Sequence, residues 1–232
     1  MLSRARGGTL GAVHDFDQTY WERHWRESPL PTEPSRVPPA NPYVVDETRD
    51  LTPGTALDAG CGVGAEAIWL AGQGWEVTGV DISATALAAA DDRARAAAVS
   101  ERVSWIEADA SAWEPSQRWD LVMTNYAHPA TPQLEFYLRL AQWVAPGGSL
   151  LIVGHRSGDH GHGHGSPDGT DHPPHEATAT VEGITSRLDP SIWQVETAAD
   201  RTRTTGGGHG HSGTLHDVVV RATRRVGTDD HQ

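Results

Sequence analysis

A glycine-rich turn constrains the fold of this chain more than any other feature of its sequence. Thr55–Ala59 is a short apolar run, typical of a buried strand, and residues 65–71 have the pattern of a helix. Three glycines lie between them, Gly60, Gly62 and Gly64. Glycine permits the dihedral angles of a tight turn and allows a ligand to approach the backbone closely. The turn therefore predicts a ligand-binding strand–turn–helix unit.

Strand-like and helix-like segments alternate after this turn. Strands are predicted at Glu76–Asp81, Val103–Asp109, Trp119–Tyr126 and Ser149–Val153. Helices are predicted at 83–98, with Ser83 as the N-cap, and at 132–144, closed by the breaker Pro146-Gly147-Gly148. Two late runs, 192–202 and 215–225, indicate a closing antiparallel hairpin. This alternation predicts an α/β protein with a doubly wound, mainly parallel sheet.

Acidic residues stand beside the turn and at the ends of the next strands. Asp81 ends the second strand, where ribose hydroxyls are bound, and Asp109 ends the third, where an adenine amino group could be held. Asp58 precedes the first glycine, and a carboxylate there repels a pyrophosphate but pairs with an amino group. Because the third glycine of the dinucleotide pattern is also absent, S-adenosylmethionine is favoured over NAD.

Three segments resemble, in order, the motifs of class I S-adenosylmethionine-dependent methyltransferases. They are LDAGCGVGAEAIWLAGQGWEVTGVDISATAL, EADASAW and RWDLVMTNYAHPA, and the resemblance covers about residues 41–156. Within that superfamily, IWLAGQGWEVTGVDIS and the leader YWERHW are similar to the small-molecule group that includes thiopurine and tellurite-resistance methyltransferases. The resemblance implies a methyltransferase with a Rossmann-like sheet of seven strands, the last of them antiparallel.

The same resemblance implies a row of cofactor-binding residues along the carboxyl edge of the sheet. The methionine moiety would lie against Gly60, Gly62 and Gly64, with Asp58 facing its amino group. The nucleoside would be held by Asp81, Ile82, Asp109 and Ala110. Asn125 and Tyr126, at the end of the fourth strand, would lie near the reactive methyl group.

Histidines near the same edge are the candidates for catalysis. Methyl transfer from a sulfonium is an in-line displacement that depends on alignment and desolvation, and a neutral acceptor also needs a base. His128 follows the fourth strand and is the first candidate, with Tyr126 beside it and His155 after the fifth strand as further candidates. The alternative is that these histidines are ordinary polar loop residues.

Two stretches rich in glycine and histidine, 155–175 and 206–216, are predicted to face each other across the substrate rim. Their imidazoles suit zinc, nickel, copper or cobalt, and the candidate ligands are His160, His162, His164, His209 and His211. The alternative is a pair of low-complexity surface loops with weak metal affinity, because ordering glycine is entropically costly.

The chain is expected to comprise an N-terminal lid or substrate region at 1–51 and a methyltransferase domain at 52–232. The proline-rich middle of the first region excludes a continuous helix. Its aromatic leader, Tyr20–Trp25, either covers the cofactor as a lid or anchors the N-terminus to the core.

Composition narrows the classes of partner. The formal net charge of −13 argues against nucleic-acid binding, and no apolar run is long enough to cross a membrane. Met1–Leu10 lacks the pattern of a secretory signal, so a cytoplasmic location is expected. The predicted function is methyl transfer to a small-molecule oxygen, nitrogen or sulfur acceptor, with or without a metal ion. The alternatives are a metal-binding or metal-sensing protein without turnover, and an NAD-dependent enzyme.

Overall fold

The computed structural model describes residues 16–28, 39–157, 178–206 and 212–227. Its strands are β1 Thr55–Ala59, β2 Glu76–Asp81, β3 Val103–Glu107, β4 Trp119–Asn125, β5 Val144–Arg156, β6 Thr178–Ala179, β7 Trp193–Gly206 and β8 Ser212–Arg224. Its helices are α1 Gln18–Glu27, α2 Pro42–Thr48, α3 Ala65–Gly72, α4 Ala84–Ala96, α5 Gln133–Ala141 and α6 Val181–Thr185.

Seven of these strands form one continuous sheet in the order β3-β2-β1-β4-β5-β8-β7. The pairs from β3 to β5 are parallel, whereas β8 runs antiparallel to both β5 and β7. The two-residue β6 pairs with β5 off this path. The predicted α/β fold with a C-terminal antiparallel hairpin is thus confirmed.

Successive residues of the central strands supply the cores on opposite faces of the sheet, because side chains alternate along a strand. On one face, Leu57 and Val122 pack with α5 and α6. On the other, Ala56 and Leu121 pack with α2 and α3. The near-continuous apolar strands of the sequence follow from this burial on both faces.

One strand differs from the prediction. The segment Pro146-Gly147-Gly148 was expected to separate a helix from a strand, but it lies inside β5. The register slips between the pairs Trp119–Val144 and Leu121–Ser149, so the bulged segment is accommodated without ending the pairing.

The N-terminal helices are both capped and both pack on the sheet domain. Asp17 caps α1 by accepting from the backbone N–H of Tyr20, and α1 packs against α4. In α2, Val44 is fully buried. The predicted cap of α4 is confirmed, since Ser83 accepts from the Ala86 N–H. A boundary at residues 51 and 52 stays a prediction. Across the described ranges, no helix has the length and apolar character needed to cross a membrane.

Candidate active site

A cavity of about 280 Å³ lies at the carboxyl ends of β1 to β4. Ligands of open α/β sheets bind at this edge. Of the residues predicted from sequence, its wall contains Gly60, Gly62, Asp81, Ile82, Asp109, Ala110, Asn125, Tyr126 and His128. Three predicted residues are not in the cavity wall but lie next to residues that line it: Asp58, Gly64 and His155.

The glycine turn has the backbone geometry that only glycine adopts readily. Gly60, Gly62 and Gly64 have φ angles of 78°, 51° and 80°. A Cβ atom on Gly60 would lie 2.4 Å from the Cβ of Ala127, and one on Gly62 would lie 2.8 Å from the Trp25 ring. Gly64 is the N-cap of α3, and a Cβ atom there would meet Trp105 and Ala90, which are not in the cavity wall. The first two glycines therefore keep the floor of the cavity open.

The acids at the strand ends, Asp81 and Asp109, lie together along one side of the cavity. The carboxylate of Asp81 accepts from the backbone N–H of Gly62 at 2.8 Å and from that of Ser83 at 2.9 Å. Burial nevertheless raises the pKa of Asp81. Asp109 accepts from the N–H of Ser111 at 2.8 Å and from its hydroxyl at 2.7 Å. Both acids line the same cavity, as the strand order requires.

A second group of polar residues lies at the end of the cavity opposite Asp81 and Asp109. Glu66 Oε1 accepts from the backbone N–H of Asn41 and from Nδ2 of Asn125, both at 3.0 Å. The two asparagine side chains are joined by a hydrogen bond of 3.0 Å. Burial raises the pKa of Glu66. Glu66 and Asn41 were missed in the sequence, although an acid in the first turn of the helix after the glycines was a usable signal.

Asp58 lies fully buried behind this group, and its Oδ2 has no hydrogen-bond partner among the described residues. Burial, together with the charges of Glu66 and Asp81, raises the pKa of Asp58 well above its usual value. A nearby ammonium group would favour the ionised form of both Asp58 and Glu66. These carboxylate acceptors therefore fit the amino group and the positive charge of S-adenosylmethionine.

The aromatic leader closes one side of the cavity. Phe16, Trp21 and Trp25 are in its wall, and Trp21 Nε1 donates to the backbone carbonyl of His128 at 3.2 Å. Glu22 accepts hydrogen bonds from the hydroxyls of Ser83 and Thr85, which lower its pKa. The leader is therefore attached to the start of α4, the helix that follows β2 and its last residue, Asp81.

His128 lies in the wall at the end of β4, with its ring stacked between those of Trp21 and His155. Burial and the neighbouring His155 lower the pKa of His128 to about 4. Its Nδ1 is buried without a partner in the described part of the chain. Tyr126 packs on His155 with ring centroids 4.5 Å apart and has a φ of 53°, which is unusual outside glycine.

The structure does not test the predicted metal ligands. His160, His162, His164, His209 and His211 all lie outside the described residues. Within the described ranges, no group of three or more histidine, cysteine or acidic side chains is arranged to hold a metal ion.

The glycine turn, the acids at consecutive strand ends and the antiparallel closing strand define a Rossmann-like methyltransferase fold. Residues 56–148 match the family described as "Methyltransferase domain". Over this segment, which contains the glycine turn and the strands β2 to β4, the chain is similar to that methyltransferase family.

Related sequences include plant enzymes. The chain is 34% identical over 102 residues to thiocyanate methyltransferase 1 of Arabidopsis thaliana, covering 44% of each chain. It is 29% identical over 138 residues to probable thiol methyltransferase 2 of the same plant, covering 57% of this chain and 60% of that one. A ribosomal RNA small subunit methyltransferase C of Alcanivorax borkumensis is 33% identical over 45% of this chain and 33% of its own length. The chain thus spans about half of the plant relatives.

Solved structures show the same fold. One, described as "Conversion of a Disulfide Bond into a Thioacetal Group during Echinomycin Biosynthesis", has a TM-score of 0.65 at 24% identity and covers 91% of this chain and 93% of its own. TehB from Haemophilus influenzae has a TM-score of 0.62 at 16% identity, covering 90% and 66%.

Proposed function

We propose that this protein is an enzyme that transfers the methyl group of S-adenosylmethionine to a sulfur atom of a small molecule. The cavity over the glycine turn supports the cofactor assignment. Two of the relatives are named as a thiocyanate and a probable thiol methyltransferase, which supports sulfur as the acceptor. The observation that carries the choice of acceptor is the half-buried imidazole of His128, whose pKa of about 4 leaves it neutral at physiological pH.

The cofactor supplies an activated methyl group on a sulfonium. In the proposed arrangement, Asp58 and Glu66 hold its amino end, with Asn41 and Asn125 fixing Glu66. Asp81 and Asp109, with Ile82 and Ala110 between and beside them, hold the nucleoside. Gly60 and Gly62 allow close approach of the ligand to the backbone, whereas Gly64 contributes only to the turn and the start of α3.

The acceptor end of the cavity favours an acceptor that ionises without help. A base with a pKa of about 4 is too weak to deprotonate an alcohol effectively. A thiol, with an ordinary pKa of about 8.5, is already a few per cent thiolate at neutral pH and is strongly nucleophilic. Apolar neighbours such as Phe16, Trp21 and Phe136 exclude water from that nucleophile.

An oxygen or nitrogen acceptor is the second candidate. The unpartnered Nδ1 of His128 favours it, because a free nitrogen in the cavity wall can accept a proton from a bound acceptor. Metal assistance by His160, His162, His164, His209 and His211 rests on composition alone and remains a separate proposal.

A competition assay distinguishes these acceptors. The full chain is incubated with S-adenosylmethionine carrying a labelled methyl group and with a thiol, an alcohol and an amine of matched size. Methyl transfer to the thiol is expected to exceed that to the others by at least about tenfold and to rise with pH as the thiol ionises. Faster transfer to the alcohol or amine would contradict the sulfur assignment, and activity that survives chelation would exclude a metal from the reaction.

Two glycine variants test the cofactor site in the same assay. Gly62→Ala places a methyl group 2.8 Å from the Trp25 ring at a φ of 51°, so cofactor binding and methyl transfer should be lost. Gly72→Ala is the matched control, since its Cβ would meet nothing within 4 Å and both should persist. Equal binding of S-adenosylhomocysteine by both variants would remove the glycine turn from the cofactor site.

A further inference from the structure

A buried ion pair lies below the acceptor end of the cavity and outside its wall. Asp217 of β8 is fully buried, and its Oδ2 accepts from Nε of Arg203 on β7 at 3.1 Å. The other carboxylate oxygen, Oδ1, is buried without a partner among the described residues. A buried carboxylate is costly unless it is paired, so its retention at this position calls for an explanation.

Both charges of the pair contact Tyr126. Nε of Arg203 lies 3.2 Å from the tyrosine hydroxyl, and its guanidinium stacks over the ring at 5.2 Å from the centroid. Burial, and then the hydrogen bond between the same hydroxyl and Asp217, raise the pKa of Tyr126. The hydroxyl and one ring face of Tyr126 are therefore held by the ion pair, and its backbone adopts the left-handed conformation.

From Tyr126, stacked rings reach the cavity. His155 lies 4.5 Å from the Tyr126 ring and 5.4 Å from the ring of His128, measured between centroids. Asp217 is also the register partner of His155 between β5 and β8. A displacement of the ion pair would thus reach His128 through two ring contacts.

We propose that the ion pair of Asp217 and Arg203 positions the acceptor wall of the cavity. It fixes Tyr126, and the Tyr126 ring supports the stacked imidazoles of His155 and His128. Neither charged residue touches the acceptor, so both are positioning residues. The effect on turnover rests on the proposed methyl transfer, whereas the placement of the histidines does not.

The charges that face His155 act on its pKa, so the proposal predicts pKa shifts that a purely packing role of the ion pair would not produce. In the described part of the chain, these charges are Asp217 on β8 and Arg203 on β7, and the titratable rings in contact are Tyr126 and His128. Asp217 raises the pKa of His155 and Arg203 lowers it. Removing one charge at a time should therefore shift that pKa in opposite directions.

The test is histidine titration by NMR in Asp217→Asn and Arg203→Met. Asp217→Asn should lower the pKa of His155, whereas Arg203→Met should raise it. If the pair served only packing, both variants would loosen the site, and the pKa would rise toward its usual value in both. A rise in both, or no shift in either, would overturn the proposal. If Asp217→Asn fails to fold, the S-adenosylhomocysteine affinity and kcat of Arg203→Met, which lies on the edge strand β7, test the proposal instead.

Kinetics provide the second readout. Both variants should bind S-adenosylhomocysteine with unchanged affinity while kcat for methyl transfer falls about tenfold or more, because the acceptor wall is misplaced. Unchanged kcat in both would also overturn the proposal. Asp200→Asn is the matched control, since it removes a β7 carboxylate whose ion pair with Arg156 is exposed. If the wild type methylated none of the acceptors, the proposed function would fail, and the NMR titration would still decide the role of the ion pair.

Discussion

At the residue scale, His128 shows how burial changes the chemistry that a histidine can perform. Its position after β4 was expected to supply a general base of near-neutral pKa. The fold instead buries the ring between Trp21 and His155, and the lost hydration disfavours the imidazolium. The imidazole is therefore neutral at physiological pH.

We expect His128 to make the protein sensitive to mild acid. Its pKa is about 4 when folded and about 6.5 in an unfolded chain, so between these values the unfolded state binds more protons. The free energy of unfolding should fall as pH falls through this window, with His128 contributing a loss of about 2 kcal/mol at pH 5. Urea unfolding at pH 7.5 and pH 5 measures it.

The variant His128→Gln isolates this contribution. It cannot take up a proton, so the difference in stability between the two pH values should be smaller by about 2 kcal/mol than in the wild type. Some pH dependence should remain, since burial also lowers the pKa of His155. The same pH dependence in both proteins would contradict a buried, neutral His128.

At the scale of elements, α1 combines the two roles that the sequence left open, lid and anchor. Trp21 and Trp25 of this helix are in the cavity wall, and Glu22 ties the helix to the start of α4 through Ser83 and Thr85. Because α4 begins just after Asp81, the same contact links the cover of the cavity to the side that Asp81 lines. Anchoring and covering are therefore one interaction.

Glu22→Ala should loosen α1 without unfolding the sheet. Limited proteolysis with trypsin, which can cleave at Arg23 and Arg26 in this helix, should become at least several-fold faster, because local opening exposes the backbone. Affinity for S-adenosylhomocysteine should fall in parallel. Glu27→Ala, an exposed acid on the same helix, is the control and should change neither. Equal cleavage of the two variants would show that Glu22 does not hold the helix.

The elements also show which features a sequence pattern can predict. The strands around the glycine turn were predictable because burial on both faces leaves a nearly continuous apolar run, as in β1 and β4. The strand through Pro146 was not, because only pairing with Trp119 and Leu121 across a bulge maintains it. The contact of Glu66 with Asn41 and Asn125 was also missed, since long-range packing brings together residues with no common motif.

At the scale of the whole molecule, charge distinguishes the proposed cofactor, S-adenosylmethionine, from its product. The chain carries a formal net charge of −13, and it contains no lysine. Among the described residues that line the cavity, the charged side chains are Glu66, Asp81 and Asp109, and none of these lining residues is an arginine. S-adenosylmethionine has a net charge of +1 because of its sulfonium, whereas S-adenosylhomocysteine is neutral overall. The field of the protein therefore attracts the cofactor more strongly than the product.

Salt should consequently weaken binding of the cofactor more than binding of the product. Between 20 and 200 mM sodium chloride, the Kd for S-adenosylmethionine is expected to rise about threefold, because the Debye length shortens across this range. The Kd for S-adenosylhomocysteine should change by much less, and it serves as the control for any salt effect on the fold. Isothermal titration calorimetry at the two salt concentrations measures both. An equal rise for the two ligands would mean that the acids of the cavity do not sense the sulfonium, which would contradict their assignment to the cofactor site.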